Sequence, residues 1–166
     1  LFIISFIYIT AFSMMQMTIA MFWYDDYDLD KRHIGYMFAL VGLGSAIVQG
    51  TMIGWLQRTF GERNLMVYGA VLVALGLGMI GFIPNSLFLP LSILSIALLS
   101  LGNGCLSPTL LSQLSRNAEP HEQGEVLGMN QSFGSLARIA GPAIGGRLYE
   151  MGHGLPYITA GVIMLG

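Results

Sequence analysis

Long apolar runs separated by short polar segments dominate the pattern of this chain. The runs are Leu1–Tyr24, Ile34–Leu56, Leu65–Ile83, Leu91–Ser115, Gly124–Tyr149 and Leu155–Gly166. Between them lie Asp25–His33, Gln57–Asn64, Pro84–Pro90, Arg116–Gln123 and Glu150–Gly154. A bilayer core of about 30 Å needs roughly 20 helical residues, so each of the first five runs reads as a membrane-spanning helix. The last run is too short to span and reads as a truncated sixth helix. The pattern predicts an all-α polytopic membrane helical bundle, with residues 1–166 as a single transmembrane domain and no soluble domain. The first run has no basic leading segment and no small-residue cleavage site after it, so it reads as a span and not as a signal peptide. Because the chain starts and stops inside apolar runs, it is expected to be a piece of a longer protein.

The helix faces carry more information than the runs. In the fifth run Leu127, Gln131, Gly134, Arg138, Gly141 and Gly145 recur at steps of three and four and share one stripe. A helix from Glu125 to Tyr149 would be roughly 36 Å long, which puts Arg138 near the membrane midplane. A guanidinium at that depth is costly and is tolerated facing a bundle interior or a watery cavity. Gly141 and Gly145 form a G-x-x-x-G pair that permits close helix contact, and Pro142 beside them removes a backbone donor. In the first run Ser5, Tyr8, Phe12, Gln16, Ile19 and Trp23 share a face that mixes aromatic and polar groups. The second run has a small-residue stripe of Gly35, Ala39, Gly42, Ala46 and Gln49. In the fourth, Asn103, Gly104, Cys105, Ser107 and Pro108 interrupt the apolar sequence.

Composition sharpens the picture. The chain is 54% hydrophobic and 10% charged, where soluble domains run near 25% charged. Glycine is 22 of 166 residues, a usage suited to close packing of membrane helices. A net charge of −2 gives no reason to expect nucleic acid as a partner. The lone Cys105 excludes a disulfide within the chain. His33, His121 and His153 fall in predicted turns, where solvated side chains are favoured over metal ligands. No Cys/His cluster, Ser/His/Asp set or phosphate-binding glycine loop is present, so no metal, cofactor or enzymatic activity is expected. Charge does not orient the bundle: Arg58, Arg63 and Arg116 lie on one side, Lys31, Arg32 and Arg147 on the other, and the positive-inside rule returns a tie.

Two stretches resemble a known family. Gly54–Arg63 (Gly-Trp-Leu-Gln-Arg-Thr-Phe-Gly-Glu-Arg) is similar to the signature loop between the second and third helices of major facilitator superfamily transporters, a loop that recurs in degraded form in their second half. Gly54, Leu56, Gly61 and Arg63 match. Arg58 stands at the acid position and Glu62 where a base is usual, which favours the C-terminal repeat. Gln123–Gly146 resembles the eleventh helix of bacterial drug:proton antiporters, the group that includes tetracycline exporters.

The resemblance implies the C-terminal six-helix half of a twelve-helix fold, with the Gln57–Asn64 and Arg116–Gln123 loops cytoplasmic. It implies secondary active export of small amphipathic molecules by alternating access, in the bacterial cytoplasmic membrane. The implied partners are the lipid bilayer, a small-molecule substrate, the missing N-terminal half and protons. Uptake of a small metabolite and a non-transporting membrane sensor are the alternatives.

On this reading Tyr8, Phe12, Gln16, Asn103, Gln131 and Arg138 are candidates for the substrate pathway. Gly54, Arg58, Gly61 and Arg63 are candidates for a cytoplasmic gate, and Gly134, Gly141, Pro142 and Gly145 for helix packing. Arg138 either faces the cavity and meets substrate or a partner, or holds oxygens of a neighbouring helix as a structural group. Gln16 and Asn103 either line the pathway or bridge helices. Arg58 and Arg63 either gate or anchor the loop at the headgroups. Proton coupling usually needs a titratable group in the membrane, yet no Asp or Glu lies deep inside a predicted span. Either Asp25 or Asp26 serves from the outer end of the first span, or the proton site is in the missing half.

Overall fold

A computed structural model describes residues 1–165; Gly166, the last residue of the truncated sixth run, lies outside the described residues. Helix α1 covers Phe2–Tyr27. Helix α2 (Lys31–Ile47) passes through a π turn at Val48–Met52 into α3 (Ile53–Phe60), so the second apolar run and part of the following loop form one helical rod. Helix α4 covers Glu62–Ile80, a 3₁₀ turn at Asn85–Leu87 leads into α5 (Phe88–Arg116), and α6 (Gln123–Met151) and α7 (Leu155–Leu165) complete the chain.

Local chemistry sets the boundaries. Asp28 ends α1 in the left-handed region at φ 52°, a conformation that Asp tolerates better than most residues. Asp30 caps α2, its carboxylate accepting the His33 backbone N–H at 2.9 Å and the His33 ring N–H at 2.7 Å. Those bonds hold the Asp30 carboxyl below the usual carboxylate range, the backbone bond most of all. Gly61 joins α3 to α4 at φ 75°, ψ 151°, a region essentially reserved for glycine. That geometry gives the matched glycine of the loop its physical reason.

The helices pack in the order α2, α5, α4, α7, α1, α6, each most extensively against its neighbours in that series. The main core gathers Met15, Ile19, Phe22 and Trp23 of α1 with Val73, Leu77, Leu99 and Tyr157. Glycine allows the closest approaches. A Cβ at Gly102 would lie 2.8 Å from the Gly69 carbonyl oxygen across the α4–α5 contact. The stripe Gly35, Ala39, Gly42, Ala46 and Gln49 is exposed; α2 meets α5 instead through the other face, where the Ser100 hydroxyl donates to the Val41 carbonyl at 3.2 Å.

Among the described residues, α1, the Lys31–Phe60 rod, α4 and α5 are long and apolar enough to cross a membrane. The chain is an all-α, multi-pass membrane bundle. Helix α6 is as long as α5, 29 residues each, but Asn130, Gln131, Ser132, Ser135 and Arg138 keep it less apolar. It packs along α1, and its Asn130, Gln131 and Arg138 line a cleft that α1 and α5 share. Helix α6 runs unbroken through Pro142, and α5 through Pro108.

Candidate functional site: a polar cleft between α1, α5 and α6

Helical spacing builds one wall of the cleft. Ser5, Tyr8, Phe12 and Gln16 succeed one another at steps of three or four along α1, so they stack on one face. That face turns into a cleft of about 450 Å³, closed on the other sides by Ser107 and Leu110 of α5 and by Asn130, Gln131 and Arg138 of α6. Further along α1 the same face changes role: Ile19 and Trp23 are buried in the core. The Tyr8 and Phe12 rings are 6.0 Å apart and tilted by 36°, giving the cleft an aromatic wall. The Tyr8 hydroxyl donates to the Asn103 side-chain oxygen, and the Asn103 amide reaches toward the Ser45 hydroxyl at 3.5 Å. Asn103 therefore stands behind Tyr8 and fixes it, while α5 presents Ser107 to the cleft.

The electrostatics are one-sided. Arg138 is the only charged residue lining the cleft among the described residues. No carboxylate lies within ion-pair distance of it among those residues. The side-chain oxygen of Asn130 is buried without a hydrogen-bond partner. The cleft thus offers amide and hydroxyl groups, aromatic faces and one cation. Among the described residues no group of His, Cys, Asp or Glu is arranged to hold a metal.

Of the six residues proposed from sequence for a pathway, Tyr8, Phe12, Gln16, Gln131 and Arg138 line this one cleft, and Asn103 supports it from behind. Asn130 was passed over because it lies off the Gln131–Arg138 stripe; its neighbour Gln131 was the available signal. The glycines on the buried side of α6 meet α1. A Cβ at Gly134 would stand 3.1 Å from Ile9 Cδ1, one at Gly141 2.7 Å from the Thr10 carbonyl oxygen, and one at Gly145 3.3 Å from Met14 Cα. Pro142 is half-buried next to them.

The loop cluster lies apart from the cleft. Arg58, Arg63 and Arg116 surround a basin with Gln57, Glu62 and Gln113. Glu62, only 14% exposed, pairs with Arg116 at 3.4 Å and accepts hydrogen bonds from Ser112 at 3.2 Å and from Gln113. Gly54 and Gly61 are exposed, with no neighbouring atom where a Cβ would sit. Sequence reasoning weighted the arginines; the carboxylate at the start of α4 organises the cluster. Its place in the first turn of a helix, where an acid is favoured by the dipole, was the signal. Glu62→Ala is expected to leave the α5 end without its acceptor, a loss of about 1–3 kcal/mol for charged hydrogen bonds. It should appear as a lower thermal midpoint of the detergent-solubilised protein, with Glu62→Gln intermediate.

The profile of the Major Facilitator Superfamily matches residues 1–166. The chain belongs to the major facilitator superfamily. It is 27% identical to Multidrug resistance protein 2 of Bacillus subtilis over 99% of this chain and 40% of that protein. It is 30% identical to the class C tetracycline resistance protein of Escherichia coli over 80% of this chain and 33% of that protein. It is also 28% identical to major facilitator superfamily domain-containing protein 10 of Homo sapiens, over 89% of this chain and 31% of that protein. The chain spans well under half the length of these relatives. No solved structure matches it.

Proposed function

We propose that this chain is the C-terminal half of a twelve-helix transporter, and that the full-length protein exports small amphipathic molecules across a bacterial cytoplasmic membrane by alternating access. The observation that carries the reading is the cleft itself. In a bundle of apolar helices, Tyr8, Phe12, Gln16, Gln131 and Arg138 converge on one space of about 450 Å³, a size and mixture of apolar and polar lining suited to a small organic ligand. The likeness to proteins named for multidrug and tetracycline resistance supports export over uptake.

In this account the cleft is one wall of a central pathway, and the N-terminal half supplies the other. The α3–α4 loop, with Gly54, Arg58, Gly61 and Arg63, faces the cytoplasm, where its arginines engage acids of the other half as the pathway closes. Protons are the coupling ion. The cleft contributes no carboxylate, so their site is assigned to the N-terminal half. Gly134, Gly141, Pro142 and Gly145 let α6 and α1 move as one body during rocking.

Reconstituted full-length protein tests this. Under an imposed pH gradient, vesicles should move an amphipathic fluorescent dye in the export direction, and collapsing the gradient should stop it. Gradient-dependent movement toward the cytoplasmic side would make the protein an importer. Ligand binding with no flux in either direction would make it a sensor.

A further inference from the structure

Arg138 is an exposed cation on the wall of the cleft, and no carboxylate among the described residues pairs with it. A guanidinium enclosed in a low-dielectric bundle is costly unless an oxyanion meets it, so covering this exposed group with the other half of the protein calls for a partner in the cleft. Glu62, the nearly buried carboxylate of the chain, is engaged by Arg116 in the loop cluster. Asp25 and Asp26 at the end of α1 accept from Tyr149 and His153. None of these acids lines the cleft, whose polar lining is otherwise neutral.

Asn130 and Gln131 add side-chain amides to the same lining. Arg138 offers only donors. Gln131 and Arg138 are seven residues apart on α6, which places them on one face about 10 Å apart along the axis. The Tyr8 and Phe12 rings stand opposite.

We infer that the cleft binds an organic acid: an amphipathic molecule whose carboxylate or sulfonate meets Arg138 and whose ring lies against Tyr8 and Phe12. A planar guanidinium fork suits an oxyanion better than any other group such a ligand could offer. The aromatic faces favour a flat apolar body. This names the substrate class of the site proposed above and rests on that reading only for the direction and fact of transport.

The test uses purified full-length protein and three probes of similar size: carboxyfluorescein as the acid, rhodamine 6G as the cation and Nile red as the neutral ring. Equilibrium binding is read by fluorescence anisotropy in detergent, and flux is read separately in vesicles. Wild type should bind carboxyfluorescein at least tenfold more tightly than rhodamine 6G. Arg138→Gln should weaken the acid by roughly ten- to a hundredfold, the worth of a charge-assisted bond, and leave Nile red within about twofold. Arg138→Lys should recover part of the loss. Arg138-dependent binding without flux would leave the acid site standing and overturn the transport reading. Tighter binding of the cation, or equal loss of all three probes in folded Arg138→Gln, would overturn the acid site whatever the flux.

Discussion

Gly141→Leu is expected to abolish the proposed transport by the full-length protein and to lower its yield in the membrane sharply. The expectation follows from the geometry of the α1–α6 contact. A Cβ at Gly141 would already stand 2.7 Å from the Thr10 carbonyl oxygen, 2.8 Å from Ser13 Cβ and 3.1 Å from the Met14 backbone nitrogen. Two of those atoms are backbone, so relief requires moving α1 itself. Overpacking of this kind costs about 1–3 kcal/mol or more in a well-packed interior, and here it also displaces Tyr8, Phe12 and Gln16, which ride on the same helix. The effect should be graded. Gly145, where a Cβ would meet Met14 at 3.3 Å, should tolerate alanine with little loss and fail with leucine. Gly146, with nothing within 4 Å, should accept alanine freely. Expression and flux are measured side by side; a Gly141→Leu protein that behaves like wild type would mean that α6 does not lie on α1 in this register.

Residues 1–166 expressed alone are expected to carry no dye across vesicle membranes, and the full-length protein is expected to carry it. On the proposed mechanism a pathway between two rocking halves needs two walls, and this chain would supply one. Without the other, Arg138 and the amides of Gln16 and Gln131 are left facing lipid, at a cost of several kcal/mol for the charge alone. The isolated chain should therefore be unstable or oligomerise promiscuously. Co-expression with the rest of the protein should restore both a monodisperse complex and flux. Flux from the isolated chain would contradict the two-wall account, and cross-linking would show whether a second copy had taken the place of the missing half.

Much of this architecture was written in the alternation of apolar and polar runs, because a bilayer requires backbone groups to be satisfied within each crossing segment. The polar stripe of α6 and the mixed face of α1 were legible for the same reason: 3.6-residue periodicity puts Gln131 beside Arg138 and Tyr8 beside Phe12 whatever the helices pack on. Which faces meet was less legible. The small-residue stripe of α2 is exposed, while the glycines of the α6 stripe are buried on α1; small side chains permit close approach without choosing a partner. For Asn103 the sequence leaves open a place on the pathway or a bridge between helices; its bond to Tyr8 is a tertiary fact that no local pattern carries. Glu62 was seen as a departure from a motif, and only the arrival of the α5 terminus gives it Ser112, Gln113 and Arg116 as partners. The π turn at Val48–Met52, with the Thr51 hydroxyl donating to the Ile47 carbonyl at 2.6 Å, has no clear mark in the sequence either.

The most direct measurement of the central claim is the accessibility of the cleft from both sides of the membrane. With the single native cysteine, Cys105, replaced by alanine, a cysteine is introduced at Gln131 in the full-length protein, and in a parallel protein at Ile139, which is 71% exposed and outside the cleft. A membrane-impermeant maleimide is then applied from the outside of cells and from the cytoplasmic face of inverted vesicles. Gln131→Cys should be labelled from both faces and protected from both by the transported dye, while Ile139→Cys should be labelled from neither. Gln131→Cys that is unlabelled from both faces, or labelled without protection by the dye, would contradict a substrate pathway through this cleft.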